Sequence, residues 1–242
     1  YRGANEPHPE PSMNRATLSA SARTTAATMA ACAELENSRR DSSRRPIAIF
    51  VQGLPGAGKS TTVERLLPGF EVICADAIKA THADYDPKNP QALHLWSRAL
   101  QLKTWGEFLA SGRSHILDGT ATNGEKLNAR MTRARAAGFS VVLFHVRCCL
   151  ETSLTRNAAR ARTLPAEVIV QKAKEIMGAF NEARHNSDLT IAISSERWEL
   201  QGVAFYQGDR SRCPVWTAAA PVEVDGQTYT GSLTNEALSL LD

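Results

Sequence analysis

The middle of the chain alternates short apolar runs with longer stretches that have helical periodicity. Strands are predicted at residues 47–52, 71–75, 115–118, 141–146 and 189–193. Helices are predicted at residues 59–67, 90–112, 125–137, 150–162 and 165–184. Runs such as IAIFVQ are continuously apolar, which is typical of a parallel strand buried on both faces. The alternation therefore predicts an α/β fold of three layers, in which a five-stranded parallel sheet lies between helices.

The chain on either side of this predicted core, residues 47–194, lacks the alternation. Residues 1–46 form an amino-terminal extension that could be helical over residues 18–37 and then becomes a polar, basic linker. Residues 195–242 hold two extended segments, an Asp-Gly pair suited to a hairpin turn, and a short terminal helix. We therefore expect a small β-rich carboxyl-terminal extension. Either extension could bind a protein partner.

Composition and charge exclude several classes of protein. The 242 residues are 43% hydrophobic and 22% charged, with a net charge of +3, which is ordinary for a globular protein and too mild to indicate nucleic-acid binding. No apolar run approaches the roughly 18 residues of a membrane span, so no membrane association is expected. Five scattered cysteines predict reduced thiols in an intracellular protein, with the cytoplasm favoured.

Import into an organelle is the alternative to a cytoplasmic location. Residues 13–33 contain two arginines, many small residues and no acid, as a transit peptide does. The same composition also fits an alanine-rich helix on the domain surface. We favour the surface helix.

GLPGAGKS, at residues 53–60, fits the phosphate-loop pattern G-x-x-x-x-G-K-[ST] and lies between a predicted strand and a predicted helix. Its glycines allow backbone N–H groups to point inward, and the following helix N-terminus favours anions. Lys59 would contact the β- and γ-phosphates of ATP, Ser60 would bind Mg²⁺, and Thr61 would reach the α-phosphate. The predicted ATP-binding residues of the loop are Gly53, Pro55, Gly56, Ala57, Gly58, Lys59, Ser60 and Thr61.

A phosphate loop alone does not separate kinases from other nucleotide hydrolases. A GTPase would carry an N-K-x-D motif, which this sequence lacks. Motors and helicases usually need a longer chain. The small domain and the position of the loop at its start favour a kinase that acts on a small group or on a nucleic-acid end.

Two aspartates follow predicted strands at the edge where a parallel sheet binds ligands. Asp76 could accept a proton from an attacking hydroxyl, or it could cap a helix. Asp118 could support Mg²⁺, or it could cap a turn together with Gly119 and Thr120. The sequence leaves both alternatives open.

Three arginines cluster in TSLTRNAARARTLP, at residues 152–165. The spacing of four places Arg156 and Arg160 on one face of the predicted helix, with Arg162 close by. Such a cluster suits a lid that covers phosphates and stabilises developing negative charge. A solvated basic face is the alternative.

These motifs, in this order, resemble the zeta-toxin and polynucleotide-kinase branch of the phosphate-loop kinases. The resemblance rests on GLPGAGKST, ICADAIK, HILDGTATN, GFSVVLFHV and the arginine cluster, and it covers residues 47 to about 193. It implies a sheet in the order 2-3-1-4-5, ATP and Mg²⁺ as cofactors, and transfer of the γ-phosphate to a hydroxyl. It also implies that Asp76 is the general base, that Lys59 and Ser60 bind ATP and metal, and that Arg156, Arg160 and Arg162 form the lid, with Arg160 among the catalytic residues.

The sequence departs from the family pattern at one position near the expected base. Many relatives carry an arginine three residues after it, where this chain has Lys79. Lysine keeps the charge but loses the bidentate fork that grips a phosphate. Lys79 and Thr120 are nevertheless the predicted substrate contacts.

The acceptor is expected to be a nucleotide-sugar, a nucleotide or a nucleic-acid end. Trp96 and Trp105 could shape the acceptor pocket or belong to the core, and the core is the commoner place for such residues. A different class of function is also open. The chain could be a catalytically silent, nucleotide-binding subunit with a structural or assembly role.

Overall fold

The computed structural model describes residues 31–196 except Lys88, Pro90 and Ala161, and also the backbone of three later strands. The helices are α1 over residues 31–40, α2 (Lys59–Leu66), α3 (Ala75–Ala80), α4 (His94–Ser111), α5 (Gly124–Ala136), α6 (Leu150–Ala158) and α7 (Ala166–Arg184). The strands are β1 (Ile47–Gln52), β2 (Glu71–Cys74), β3 (His115–Asp118), β4 (Ser140–Arg147), β5 (Leu189–Ser194), β6 (Leu200–Ala204), β7 (Val222–Val224) and β8 (Gln227–Tyr229).

The main sheet has the strand order β2-β3-β1-β4-β5-β6. The first five strands are parallel, so the predicted order 2-3-1-4-5 is confirmed. β1 pairs with β3 on one side and with β4 on the other. The loop that follows β1 therefore lies at the middle of the edge where all five parallel strands end, which is where α/β proteins bind ligands.

The continuous apolar runs have a simple structural cause. Alternate residues of β1 enter two separate cores, with Ile47, Ile49 and Val51 in one and Ala48 and Phe50 in the other. A strand covered by helices on both faces needs apolar side chains at every position. The three-layer architecture predicted from these runs is confirmed.

The helix α1 is part of the core. The expected surface helix over residues 13–33 lies outside the described residues except for its last three, which are buried or half-buried in α1. Ala31 and Leu35 are fully buried in the same cluster as β1. The helix continues to residue 40, so the predicted linker over residues 37–46 was wrong at its start. Polar contacts fasten its end: Arg44 Nη1 donates to Glu34 Oε1 at 2.5 Å, and Gly69 N donates to Glu36 Oε1 at 2.8 Å.

Several boundaries differ from the predictions. α4 begins at His94 rather than at residue 90, α6 ends at Ala158 rather than at residue 162, and the short α3 was not predicted. Trp105 is a core residue whose Nε1 donates to His115 Nε2 at 3.0 Å, whereas Trp96 is 38% exposed and packs edge-on against His82.

The sheet continues past residue 194, because β6 pairs antiparallel with β5. The boundary drawn at residue 194 stays a prediction. β7 and β8 form the expected antiparallel hairpin. The terminal helix and most of the first 46 residues lie outside the described part of the chain. Within the described part, no helix has both the length and the apolar character that crossing a membrane demands, and none of the four cysteines forms a disulfide.

Candidate active site

The phosphate loop connects β1 to α2 in a conformation that requires its glycines. Gly56 and Gly58 have φ angles of +82° and +81°, in the left-handed region that other residues rarely adopt. Gly53 lies so close to β4 that an added Cβ would sit 2.6 Å from the carbonyl oxygen of Val146. Lys59 Nζ donates to the carbonyl oxygens of Gly53 and Leu54, each at 3.1 Å. The loop is therefore folded around its own lysine.

Lys59 lies among the charged groups that the sequence singled out. Burial lowers the pKa of Lys59 below its ordinary value. The Coulombic effect of Asp118 opposes this shift most strongly, that of Asp76 opposes it more weakly, and the nearby Arg160 lowers the pKa further. Two carboxylates and one guanidinium are thus within electrostatic range of the ammonium group. The structure brings together residues that are up to about a hundred positions apart in sequence.

Asp76 lies in the first turn of α3, whose N-cap is Cys74, so Asp76 is not the helix cap. Its Oδ1 accepts from Arg162 Nη1 at 2.8 Å and from Lys79 Nζ at 3.3 Å. Partial burial raises the pKa of Asp76, but the hydrogen bonds and charges of Arg162 and Lys79 outweigh it and hold the pKa below 3.8. Asp76 is therefore an ionised carboxylate at neutral pH.

Lys79 is almost fully buried, at 3% exposure, and its ammonium group is directed at Asp76. The buried stem and the contact with the carboxylate make it a support for Asp76 in this structure. Its predicted role as a substrate contact stays a prediction.

Asp118 ends β3 with one carboxylate oxygen unsatisfied. Its Oδ1 is buried and has no hydrogen-bond partner within the described residues. Gln101 Nε2 donates to the backbone oxygen of Asp118 at 2.9 Å and to that of Ile73 at 3.0 Å, which joins the ends of β3 and β2. Sequence reasoning missed Gln101, although a polar residue within the buried face of a long helix was a usable signal.

The fit of this region to Mg²⁺ depends on Asp118 and Ser60. Ser60 is exposed at the start of α2, and both residues flank Lys59. A buried carboxylate oxygen without a donor suits a hydrated cation. The described residues contain no group of three or more metal-binding side chains. This is compatible with Mg²⁺, which usually takes one or two protein ligands and completes its shell with phosphate and water.

Arg156 and Arg160 do not share one helical face. α6 ends at Ala158, so Arg156 is helical while Arg160 and Arg162 lie beyond the helix, and the predicted shared face was wrong. Arg156 donates to Ser195 through Nη1 (to Oγ, 2.9 Å) and Nη2 (to the backbone oxygen, 3.2 Å). Arg160 acts on Lys59, and Arg162 pairs with Asp76. Each arginine thus meets a different part of the site.

Two side chains of α6 hold this arginine segment against the phosphate loop. Ser153 Oγ donates to the backbone oxygen of Pro55 at 2.6 Å. The Asn157 side chain both donates to and accepts from the backbone of Leu164, at 2.9 and 3.1 Å. The Asn157 contacts therefore fix the turn that follows α6, and the Ser153 contact joins α6 to the phosphate loop.

A pocket of about 260 Å³ opens beside Asp118, between α4, α5 and α7. Thr120, a predicted substrate contact, lines it. Neither Trp96 nor Trp105 does, so the expectation that these tryptophans shape such a pocket finds no support here. Five basic side chains missed in the sequence contribute to the lining: His94, Arg98, Lys126, Arg130 and Lys172.

Comparison with known proteins adds the family context. A family model described as an AAA domain matches residues 49–182, more than half of the chain. The fold is similar to a structure from the PezAT chromosomal toxin–antitoxin system of Streptococcus pneumoniae, with 14% identity and a TM-score of 0.56 over 75% of this chain and 81% of that one. No curated protein sequence matches.

Two structures of AvrRxo1-ORF1:-ORF2 are also similar. The one with ATP has 14% identity and a TM-score of 0.55 over 81% of this chain and 73% of that one. The native complex has 15% identity and a TM-score of 0.56 over 90% and 70%. At such identities the likeness concerns the fold. The resemblance to phosphate-loop kinases of the zeta-toxin and polynucleotide-kinase branch is confirmed at that level.

Proposed function

We propose, from the premise that this chain belongs to the AAA domain family, that it is an ATP- and Mg²⁺-dependent phosphotransferase. It would move the γ-phosphate of ATP to a hydroxyl of a nucleotide-sugar, nucleotide or nucleic-acid acceptor. One observation carries the proposal: the phosphate-loop lysine, Lys59, lies within the electrostatic reach of Asp118, Asp76 and Arg160. This set provides phosphate binding, metal support, a base and charge stabilisation at a single place.

Asp76 is the group best suited to receive the proton. In an in-line transfer, the acceptor oxygen forms a bond to the γ-phosphorus while the bond to the β–γ bridging oxygen breaks and ADP leaves. The acceptor hydroxyl gives its proton to the Asp76 carboxylate. Arg162 and Lys79 keep this carboxylate ionised before the acceptor arrives.

Lys59 and the arginines would stabilise the charge that spreads over the transferred group. The backbone of residues 53–58 would surround the phosphates, and the Lys59 ammonium would exchange its contacts with the Gly53 and Leu54 carbonyls for phosphate oxygens. Arg160, whose charge reaches Lys59, would add a second cation. Ser60 and Asp118 would hold Mg²⁺, which neutralises charge on the phosphates.

ATP as the nucleotide is supported by the family and by the structural neighbour solved with ATP. A protein partner is supported by the AvrRxo1-ORF1:-ORF2 complex among the similar structures. The second candidate function is a nucleotide-binding assembly subunit without turnover. The 2.8 Å pair between Arg162 and Asp76 favours it, because a base engaged by a guanidinium is a weaker proton acceptor.

The test is label transfer from γ-labelled ATP to UDP-N-acetylglucosamine, nucleosides and 5′-hydroxyl oligonucleotides. Asp76→Asn should lower transfer by about 10²- to 10⁴-fold, the usual contribution of a general base. Asp84→Asn is the matched control, since Asp84 is an exposed carboxylate close by in sequence, and it should transfer like the unmodified protein. Equal activity of both variants would remove Asp76 from the mechanism.

ATP binding is measured separately with a fluorescent analogue. Lys59→Ala should weaken binding strongly. An unchanged affinity would contradict the phosphate-loop assignment itself. Tight ATP binding by the unmodified protein without transfer to any acceptor would favour the assembly subunit.

A further inference from the structure

The pocket beside Asp118 is more basic than a nucleotide site needs. Its cations come from three helices: Arg98 lies on α4, Lys126 and Arg130 on α5, and Lys172 on α7. Among the described residues, Asp118 is the sole acidic one in the lining, and it is the one that we assign to Mg²⁺. We call these four basic side chains the cation cluster. Apart from Asp118, the described lining residues include no carboxylate to balance them.

The cation cluster is also not neutralised by its surroundings. Within residues 31–196 as described, none of its four members forms an ion pair, and Arg98 only donates to the neutral Gln101 at 3.1 Å. The members repel one another: burial lowers the pKa of Arg130, and Arg98 lowers it further. Unbalanced cations in a partly buried space are unfavourable unless an anion joins them.

The pocket adjoins the transfer site. Asp118 lines it and acts on Lys59. His94, another lining residue, is within electrostatic range of both the pocket and Asp76. Burial and the charges of Lys79, Arg98 and Lys172 lower the pKa of His94, while the charge of Asp76 raises it. Asp118 is also paired with Cys74, two residues before Asp76, so the pocket and Asp76 lie at the same edge of the sheet.

We propose that this pocket is the anion subsite of the acceptor, so that the acceptor is a small molecule already carrying a phosphate group. Arg98, Arg130 and Lys172 hold that phosphate, with Lys126 at the rim, and the hydroxyl to be phosphorylated faces Asp76. This inference rests on the proposed phosphotransferase function and narrows its acceptor. It also accounts for the missing arginine fork at Lys79, because Arg98 and Arg130 bring two guanidinium forks from other helices.

The size of the pocket favours a compact acceptor over a polynucleotide. Its volume of about 260 Å³ lies just below the roughly 300 Å³ at which ordinary ligand pockets begin. Residues from three helices line it around a single space, whereas a polynucleotide needs a long groove that follows many phosphates. Thr120 and Thr122 add hydroxyl groups to the lining, which suits a polyol or sugar.

The first experiment measures anion binding without any transfer. The protein is saturated with the non-hydrolysable analogue adenosine 5′-(β,γ-imido)triphosphate, which fills the phosphate loop, and inorganic phosphate is then titrated by calorimetry. Lys172→Gln should weaken phosphate binding by roughly 10- to 150-fold, the range for one charge-assisted hydrogen bond. Lys174→Gln is the matched control, because Lys174 is exposed on the same helix and does not line the pocket. Arg130→Gln, checked for folding by its melting temperature, should act like Lys172→Gln.

Absence of phosphate binding to the loaded protein, or equal losses in Lys172→Gln and Lys174→Gln, would overturn the subsite.

The second experiment compares acceptors in pairs: glucose with glucose 6-phosphate, and uridine with UMP. The phosphorylated member should have at least about tenfold higher kcat/KM, and Lys172→Gln should remove this preference. A 5′-hydroxyl oligonucleotide that is the best acceptor would contradict the small-molecule assignment.

The two experiments separate failure of the subsite from failure of the proposed function. Phosphate binding that depends on Lys172, without transfer to any acceptor, would sustain the anion site and reject the phosphotransferase. Transfer at equal rates to neutral and phosphorylated acceptors, without phosphate binding, would sustain the phosphotransferase and reject the anion site.

Discussion

Gly53 allows the sharpest test of the phosphate loop, because a single methyl group there meets a backbone carbonyl rather than a flexible side chain. In Gly53→Ala the new Cβ would lie 2.6 Å from the carbonyl oxygen of Val146, while real Cβ contacts are essentially never below 3.0 Å and usually exceed 3.4 Å. The loop or β4 would therefore have to shift by about 0.4 to 0.8 Å in a close-packed region. The same Cβ would lie 3.1 Å from Cγ of Lys59.

Such a shift misplaces the lysine and the loop amides relative to the phosphates. Loss of one charge-assisted hydrogen bond is worth about 1.5–3 kcal/mol, which corresponds to roughly 10- to 150-fold in affinity. Titration of a fluorescent ATP analogue should show a weakening of this size. The fold should persist, which circular dichroism and the melting temperature can check.

Gly178→Ala is the matched control. An added Cβ at Gly178 meets nothing within 4 Å, and the residue lies inside the long helix α7. This variant should keep the ATP affinity and gain about 0.5–1 kcal/mol of stability, since alanine is the better helix former. If folded Gly53→Ala bound ATP as tightly as Gly178→Ala, the assignment of this loop to phosphate binding would be refuted.

Two further predictions concern the core and the base. Leu35→Ala should lower the free energy of unfolding by about 2–5 kcal/mol and the melting temperature by roughly 4–20 °C, because Leu35 is fully buried. Calorimetry of the exposed-site control Asn37→Ala should show almost no change, and equal melting of the two variants would mean that α1 is not part of the core. Arg162→Met should raise the pKa of Asp76, since the charge and hydrogen bond of Arg162 help to lower it. The acidic limb of the pH profile of kcat/KM should therefore move to higher pH. An unmoved limb would show that Asp76 does not control the rate.

Much of the architecture follows from local features of the sequence. Runs such as residues 47–52 are apolar at every position because both faces of a central parallel strand are covered, and this can be read without knowing what covers them. The phosphate loop is equally local, since its glycines, lysine and hydroxyl are adjacent in the chain. The family resemblance then implied the strand order that the structure has.

The site was only partly predictable. Asp76 and Asp118 end or follow strands whose carboxyl ends meet at one edge, so their nearness to the phosphate loop could be foreseen. Their partners could not. The contact of Arg162 with Asp76 depends on where α6 stops, and sequence periodicity placed that end four residues too late.

The amino-terminal helix α1 was also only partly predictable from the sequence. Its alanine-rich composition predicts a helix, which the described residues from 31 onward confirm. Composition carries no information about which surface a helix covers, and small residues are equally common outside and inside. That Leu35 completes the core beside β1 depends on the space left by the other helices.

The sequence by itself determined the phosphate loop, the order of strands and helices, and the residue types able to transfer a phosphoryl group, because each is a property of neighbouring positions. Only the tertiary structure decided that Arg98, Arg130 and Lys172 line one pocket beside Asp118. These residues lie on three helices and share no motif. Their positive charges come close together only after the helices have packed. Only then do they repel one another and favour a bound anion.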